Sequence, residues 1–296
     1  MLALGAVGAY AALQLRGGAV PAAPVVEGVE HEWGEVARDR SVVLTTVTVR
    51  NPNDFALDVV DARFDIRANG VPLGEGRLAE PAALAPERST DVRLVTRVDT
   101  GRFLADWWLS HLAANETTVL AVAGTVDVTS GPVTLAVPVA EERTWRSDVP
   151  GALASALRTC PSSGLAPCIA SSAHEWGERN ASATTLQSVL VVRNPAPFPV
   201  PLPLGAATLE LRLNGVTVAK GAGDGVVVLA ARGDTEVPMT TALDHGALRE
   251  WWPTHVARCE RSEAVARVNL LGGLLAADVP LEPLETAFAC DAPTAP

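Results

Sequence analysis

Five histidines are the side chains in this sequence best suited to metal binding or acid–base catalysis. Four of them recur in equivalent positions, because His31 matches His174 and His111 matches His255. A zinc site needs three or four ligands at spacings such as HExxH or CxxC, and neither pattern occurs in the sequence. His31 and His174, each in a lone HE dipeptide, are therefore predicted to be half-exposed residues near strand ends.

Motifs for other kinds of catalysis are also missing from the sequence. It has no GxSxG elbow of the kind that serine hydrolases use, and no glycine-rich loop before a lysine that would cradle a phosphate. The prediction is a protein that is not an enzyme, with no catalytic residue, no cofactor and no metal ion. A hydrolase with an unrecognised site is the third and last hypothesis, because no constellation of residues supports it.

Two tryptophan pairs, Trp107–Trp108 and Trp251–Trp252, are the most unusual side chains of the sequence. Adjacent residues on a helix point about 100° apart, so one indole of each pair can enter the core while the other lies toward its rim. The favoured interpretation is that both pairs close the open end of a folded domain. The alternative is an apolar contact or membrane-interface site, since tryptophan favours such boundaries.

Four cysteines, all in the second half of the chain, permit two disulfides in an oxidising compartment. Cys160 and Cys168 bracket a short loop whose ends could close. Cys259 and Cys290 would then tie the segment after the second tryptophan pair to the last strand. Buried free thiols are the alternative, and the sequence favours neither. Two sequons, at Asn115 and Asn180, can be glycosylated if the domains lie outside the membrane.

Length and charge limit the class of protein. The 296 residues suffice for two domains of ordinary size, each with its own core. A formal net charge of −11 makes nucleic acid an unlikely partner, because duplex binding needs the opposite balance. Lys220 is the only lysine, and an acidic, lysine-poor chain rich in alanine and valine is typical of halophiles.

An internal repeat determines the predicted architecture. HEWGE occurs at 31–35 and again at 174–178, and RNPNDF at 50–55 returns as RNPAPF at 193–198. NGVPLGEG, which begins at Asn69, matches NGVTVAKG, which begins at Asn214, and the two tryptophan pairs follow in the same order. Asn69–Gly70 and Asn214–Gly215 have the composition of tight hairpin turns. The chain therefore contains two copies of one domain.

The elements that position these residues are mostly short strands. Ala62, Phe64, Ile66 and Ala68 alternate with charged residues, which is the period of a strand with one buried face. Six or seven such strands and one helix in each copy predict a mostly β (α+β) chain of two tandem immunoglobulin-like β-sandwich domains. The predicted domains are residues 29–145 and 173–292, joined by a linker at 146–172 that is rich in alanine, serine, glycine and proline.

The N-terminal segment, residues 1–28, is predicted to be a hydrophobic helix followed by a spacer. Residues 1–15 carry no charge, and Arg16 is the first charged residue. A spanning helix needs about 20 apolar residues, so this stretch is marginal, and a signal peptide would normally have a basic n-region. The favoured interpretation is a membrane anchor or an uncleaved signal, with an assigned start that is late. An apolar helix packed on the protein itself is the alternative.

Taken together, the repeated blocks resemble the water stress and hypersensitive response (WHy) domain of the late-embryogenesis-abundant type 2 family. The residues that carry the resemblance are Asn51–Pro52–Asn53 at the end of a strand, the Asn69–Gly70 hairpin, and the strand at 90–99. The WWxxH element is similar to that of archaeal, especially haloarchaeal, members with two copies. The second copy departs from the pattern, because Ala196 follows Asn194–Pro195 and four prolines follow it.

The resemblance implies an immunoglobulin-like sandwich and a role in tolerance to desiccation or other water stress, and it implies no reaction. The leading hypothesis is a non-enzymatic, membrane-tethered protein with domains outside the cytoplasm. Its partners would be the membrane, through the N-terminal segment, and partially unfolded client proteins or envelope components. The alternative is an adhesion or ligand-binding module at the cell surface that uses the loops of the sandwich.

Overall fold

The computed structural model describes residues 22–130, 133–161, 166–270 and 275–285. They are mostly β and divide into two compact units. The first unit consists of residues 22–103, 110–130 and 133–145. The second unit consists of residues 104–109, 146–161, 166–270 and 275–285. Within the described residues, no helix is long and apolar enough to cross a membrane. Most of the predicted N-terminal anchor, residues 1–21, lies outside the described residues.

The first unit is one antiparallel sheet whose main path runs β1-β2-β6-β4-β3-β7-β8, with β5 paired to β3. Its strands are β1 (Val25–Val36), β2 (Ser41–Arg50), β3 (Leu57–Ala68), β4 (Val71–Leu78), β5 (Ala82–Leu84), β6 (Ser89–Val98), β7 (Thr117–Ser130) and β8 (Val133–Arg146). Helix α1 (Thr100–Ala113) follows β6. Alternate residues of β2 and β3 are buried, as the period-2 pattern of the sequence predicts.

Among the described residues, the second unit repeats this order with eleven strands where the first has eight. Its main sheet runs β18-β17-β12-β13-β15-β10-β9, and β11-β14 and β16-β19 form two-stranded sheets. The strands are β9 (Cys168–Arg179), β10 (Ala183–Asn194), β11 (Val200–Pro203), β12 (Thr208–Leu213), β13 (Val216–Ala222), β14 (Val226–Leu229), β15 (Gly233–Asp244), β16 (Arg261–Ser262), β17 (Ala264–Leu270), β18 (Leu275–Pro280) and β19 (Leu284–Glu285). Helix α2 (Val149–Ala156) precedes β9, and helix α3 (His245–Ala257) follows β15.

Each main sheet is one curled, continuously hydrogen-bonded antiparallel sheet, whereas the sequence predicts two separate sheets in each domain. In the first unit the continuity comes from β3, which is long enough to pair with β4 and β5 along one edge and with β7 along the other. In the second unit, a 3-10 turn at Leu204–Ala206 splits the equivalent strand into β11 and β12. Pro201 and Pro203 in β11 lack the N–H that a central strand must donate, so among the described strands β11 pairs with β14 alone, as β3 pairs with β5 in the first unit.

A glycine at the same place in each copy allows neighbouring strands of the curled sheet to approach closely. A Cβ at Gly76 would lie 2.6 Å from Thr96 Oγ1, and a Cβ at Gly221 would lie 2.1 Å from the carbonyl oxygen of Thr240. Contacts this short are not tolerated, so both positions require glycine. In both copies, the close approach of these strands therefore depends on a residue that has no side chain.

The predicted linker at 146–172 contains regular structure in this fold. It holds helix α2, whose Asp148 cap accepts a hydrogen bond from Gly151 N at 2.8 Å, and it also holds the first residues of β9. Leu153 and the following Leu157 are 1% and 0% exposed and belong to the core of the second unit. Proline and glycine near the start of a helix resemble a linker in composition, so only the packing of the two leucines reveals the helix.

Candidate functional site

The tryptophan pairs lie on equivalent helices, each capped by the aspartate that directly precedes it. Asp99 accepts a hydrogen bond from Arg102 N at 3.0 Å at the start of α1, and Asp244 accepts one from Gly246 N at 2.7 Å at the start of α3. The four indoles, at Trp107, Trp108, Trp251 and Trp252, are between 2% and 8% exposed. Side chains buried to this extent offer little surface to a partner.

Trp251 anchors a polar cluster inside the second unit. Its indole N–H donates to Ser262 Oγ at 2.8 Å, and the side-chain amide of Asn214 donates to the same oxygen at 3.0 Å. Ser262 Oγ lies 2.9 Å from Nδ1 of His255, and both residues are 0% exposed. Burial lowers the pKa of His255 to about 4, so the imidazole is neutral near pH 7.

The first unit contains a version of the same cluster with threonine in place of serine. His111 Nδ1 lies 2.8 Å from Thr118 Oγ1, and burial lowers the pKa of His111 to about 4. The indole of Trp145 stacks on the His111 ring with centroids 4.9 Å apart. In each copy, a neutral histidine therefore fastens the helix to the strand that follows it. Within the second unit, Trp108 makes an edge contact with Trp176 at 5.4 Å between centroids.

The remaining histidines also pair with hydroxyl groups of neighbouring strands. His31 Nδ1 lies 2.9 Å from Thr45 Oγ1, and the equivalent His174 Nδ1 lies 2.8 Å from Ser188 Oγ. Burial lowers the pKa of both His31 and His174. His245 Nε2 lies 3.0 Å from Thr184 Oγ1. Among the described residues, no group of three or more histidine, cysteine, aspartate and glutamate side chains converges as metal ligands would.

The asparagines of the NP motif are buried structural residues. Asn51 donates its side-chain N–H groups to the carbonyls of Phe55, at 2.7 Å, and Leu84, at 3.1 Å. Asn194 makes the corresponding bonds to Phe198, at 3.0 Å, and Leu229, at 3.5 Å. Both asparagines are 0% exposed, so each satisfies backbone carbonyls that would otherwise be buried without a donor. Pro52 and Pro195 follow them in the turn.

The third residue of the motif has a different role in the two copies. In the first copy Asn53 holds the incoming chain, because its side-chain amide accepts from Ala22 N at 2.7 Å and donates to Ala22 O at 2.9 Å. In the second copy Ala196 takes its place and has no amide to offer. There the first residue of β9, Cys168, is joined by a disulfide to Cys160, eight residues earlier in the chain.

The hairpin asparagines form their own turns and also accept hydrogen bonds from residues about 50 positions later in the chain. Asn69 and Asn214 have positive φ values of 50° and 48°, followed by Gly70 and Gly215 at 81° and 83°, as two-residue hairpin turns require. The Asn69 side chain also accepts from Val119 N at 2.8 Å, and that of Asn214 accepts from Glu263 N at 3.0 Å. Each turn thereby fixes the strand that follows the tryptophan helix.

The structure describes three of the four cysteines. Cys160 and Cys168 are joined in a disulfide, and Cys259 is also disulfide-bonded. Cys290, the partner that the sequence suggests for Cys259, lies outside the described residues. The sequon asparagines Asn115 and Asn180 are both exposed.

An exposed apolar face in the second unit escaped the sequence argument. Phe198, Val226 and Val228 are 60%, 66% and 56% exposed, and they lie on or next to the small β11-β14 sheet. The signal was present in the alternating prolines before and within β11 and in the valines of β14.

Comparison with known proteins identifies similar sequences and folds. A family model described as "Late embryogenesis abundant protein" (LEA_2) matches residues 46–143 and 189–283. A search of curated proteins finds no match. A crystal structure of a protein from Archaeoglobus fulgidus is 24% identical, with 42% of this chain and 99% of that chain covered and a TM-score of 0.39.

A solution structure of a protein from Arabidopsis thaliana is 17% identical, with 43% of this chain and 83% of that chain covered and a TM-score of 0.34. Red sea bream transglutaminase is 10% identical over 88% of this chain and 31% of that chain, with a TM-score of 0.23. None of the three structures reaches a TM-score of 0.5, so no property of these proteins is transferred to this chain.

Proposed function

The chain belongs to the late embryogenesis abundant protein family LEA_2, and from this premise we propose that it is a non-enzymatic protein of the water-stress response. The observation that carries the proposal is the repetition of the family match, which covers residues 46–143 in one copy and 189–283 in the other. Each copy is, in this proposal, an immunoglobulin-like WHy domain. The histidines, which pair with hydroxyl groups, agree with a structural rather than a catalytic use of these side chains.

We further propose that residues 1–28 tether the chain to a membrane and that both units lie outside the cytoplasm of a halophilic archaeon. The uncharged stretch at 1–15 supports the tether. The Cys160–Cys168 disulfide supports the location, because such bonds persist in oxidising compartments. The exposed sequons at Asn115 and Asn180 are compatible with a location outside the cytoplasm, and the acidic composition agrees with a halophilic source.

The surface that would act on clients is the acidic edge of each sheet. Strands β1 and β9 lie at the ends of their sheets, and each carries the HEWGE sequence. The glutamates of this sequence are exposed at Glu32, Glu35, Glu175 and Glu178. Charged side chains on an edge strand oppose pairing with another chain and keep the edge hydrated. The chain would thereby separate partially unfolded proteins, or shield the envelope, without joining their aggregates.

Light scattering from a client enzyme that has been dried and rehydrated, with and without the full chain in equimolar amount, tests the proposal. We expect the client enzyme to scatter less light with the chain than with the detergent alone, which is present to keep the chain in solution. A matched control is the chain with the four edge glutamates changed to glutamine, which should protect less because its edges can pair. Equal scattering with the chain, with an unrelated acidic protein and with detergent alone would show that it does not protect.

A further inference from the structure

The β11-β14 sheet has one buried and one exposed face, and the exposed face is entirely apolar. The register pairs Pro201 with Val228 and Pro203 with Val226, so these four side chains lie on the same side. Phe198, 60% exposed, lies three residues before Pro201, ahead of β11. These five side chains are called the ribbon face below. On the opposite side, the remaining residues of β11 and β14 pack on the core of the second unit.

The ribbon face is more apolar than its counterpart in the first copy, where Val60 is exposed as well. Its counterparts in the first copy include Asp58 and Ala83, which pair in the same register as Pro201 and Val228. Phe55, the counterpart of Phe198, packs against the core of the first unit. The first copy therefore has, at the same place in the fold, a charged residue and a half-buried phenylalanine where the second copy exposes apolar groups.

Charge is absent from the two segments that build the ribbon face. Residues 195–209 and 225–231 contain no charged side chain, in a chain with 57 acidic and basic residues, 34 plus 23. Next to these segments in the sequence, Asp224 and Arg232 are exposed charges of opposite sign, and Arg193 forms an ion pair with Asp234 at 2.9 Å. The face therefore has no cluster of basic residues that would attract an anionic partner.

The β11 segment of the backbone beneath the ribbon face offers few free donors. Four of the nine residues from 196 to 204 are prolines, which have no N–H. Ala196 N donates to Asn194 Oδ1 at 3.0 Å, and Leu204 N donates to Gly225 O at 2.9 Å. Val200 and Leu202 pair with β14. A backbone with its donors removed or satisfied internally can enter hydrocarbon, where each unsatisfied polar group costs several kcal/mol.

The same geometry argues against other occupants. Among the described strands β11 and β14 pair only with each other, and the prolines leave the outer edge of β11 without N–H donors, so a client strand could not form a normal ladder on that edge. A second copy of the chain is disfavoured by size, because a stable interface uses about 20–30 residues on each side. An uncharged lipid surface needs neither donors nor a large rigid interface.

We propose that the ribbon face inserts shallowly into the boundary between headgroups and acyl chains of an uncharged lipid surface. Phe198 and the two valines enter the acyl region, while the prolines hold the backbone rigid at its margin. This inference deepens the proposed function and rests on its membrane tether. It adds a direct contact between the ribbon face of the second unit and lipid. The net charge of −11 predicts that this face inserts more weakly into anionic membranes.

The test places an environment-sensitive nitrobenzoxadiazole probe on the full chain through Phe198→Cys, without reductant, so that the disulfides remain. Val60→Cys provides the matched control, because Val60 is 50% exposed at the equivalent edge of the first copy. Each labelled chain is reconstituted with phosphatidylcholine vesicles, with and without a spin label on the acyl chains. Flotation of the vesicles measures whether the chain is tethered.

We expect both chains to float, with a severalfold rise in emission and strong quenching by the spin label at position 198 alone. Val228→Asp in the chain labelled at 198 should abolish the quenching without changing flotation. Flotation without quenching would refute the lipid contact and leave the proposed function intact, whereas a chain that does not float would refute the tether as well. A rise in emission caused by an unfolded client or by increasing chain concentration, in the absence of lipid, would refute lipid as the occupant.

Discussion

Trp251 and His255, one turn apart on α3, hold the same serine from two directions. The indole N–H of Trp251 donates to Ser262 Oγ at 2.8 Å, and Nδ1 of His255 lies 2.9 Å from that oxygen. The serine oxygen also accepts from Asn214 at 3.0 Å, so its own proton is available for His255. His255 therefore accepts at Nδ1 and is neutral, and protonation would replace a satisfied bond with two opposed donors.

Acid should destabilise the protein through two of its buried histidines, His111 and His255. His111 and His255 have folded pKa values of about 4, against an ordinary value of 6.5. Because the unfolded chain binds more protons between these values, stability decreases as the pH falls from 6.5 to 4 and is fully present above 6.5. We expect each histidine to account for a loss of about 2 kcal/mol between pH 7.5 and pH 5. Urea unfolding at the two pH values measures the loss.

The matched variants for this experiment are His111→Gln and His255→Gln, which cannot take up the proton. Each should be less stable than the parent at pH 7.5 and should lose less stability on acidification. The measurement stops at pH 5 because carboxylates titrate below it and would add their own change. An identical pH dependence in parent and variants would mean that the two histidines are not neutral in the folded chain.

Removal of the buried asparagine of either copy should have a large effect on stability. Asn51→Ala leaves the carbonyls of Phe55 and Leu84 without their donor, and Asn194→Ala does the same in the second unit. We expect each change to cost about 2–4 kcal/mol, measured by denaturant unfolding. Asn53→Ala should cost less but should accelerate hydrogen exchange at the Ala22 amide, which loses its acceptor. Unchanged exchange there would contradict the assigned bond.

Helix α2 should behave as part of a core rather than as a linker. Leu157 is 0% exposed within the core of the second unit, so Leu157→Ala is expected to destabilise that unit by about 2–5 kcal/mol. The neighbouring Arg158 is exposed, and Arg158→Ala should change the free energy of unfolding by no more than about 0.5 kcal/mol. Similar small effects for both changes are what a flexible linker would give.

Reduction should affect the second unit alone. Cys160, Cys168 and Cys259 all belong to it and are all oxidised in the structure. Closing the loop between Cys160 and Cys168 is worth about 2.5 kcal/mol in the chain-entropy description. We expect calorimetry to show a lower Tm for the second unit after reduction and an unchanged first unit. Non-reducing digestion should yield peptides that link Cys160 to Cys168 and Cys259 to Cys290, and four free thiols would contradict this.

The sequence predicts features that depend on local spacing. Alternation along β2 and β3 predicts their buried faces, and the Asn69–Gly70 and Asn214–Gly215 pairs predict tight turns because positive φ is a property of the residues themselves. The continuous sheet is different. Whether β3 joins its neighbours into one sheet or leaves them in two depends on pairings over 50 residues apart along the chain, which no local period records.

The candidate sites, too, are only partly predictable from local spacing in the sequence. The tryptophan helices are evident from the repeat, but their burial against Ser262 and Trp145 depends on tertiary packing. In β11, the prolines that weaken pairing also turn their rings outward beside Val226 and Val228, and this coincidence appears only once the register with β14 is known. Helix α2 was missed because its composition resembles a linker.

The paired bonds between Ala22 and Asn53 determine how tension would enter the first unit. Ala22 stands directly ahead of β1, an edge strand held to the sheet by β2 alone among the described strands. An edge strand pulled from its end can peel one hydrogen bond at a time, which requires little force. A pull from upstream instead meets two hydrogen bonds that share the load, anchored on the buried turn of Asn51. The first copy thus carries a mechanical stop at the place where its chain enters, and Ala196 removes the equivalent stop from the second.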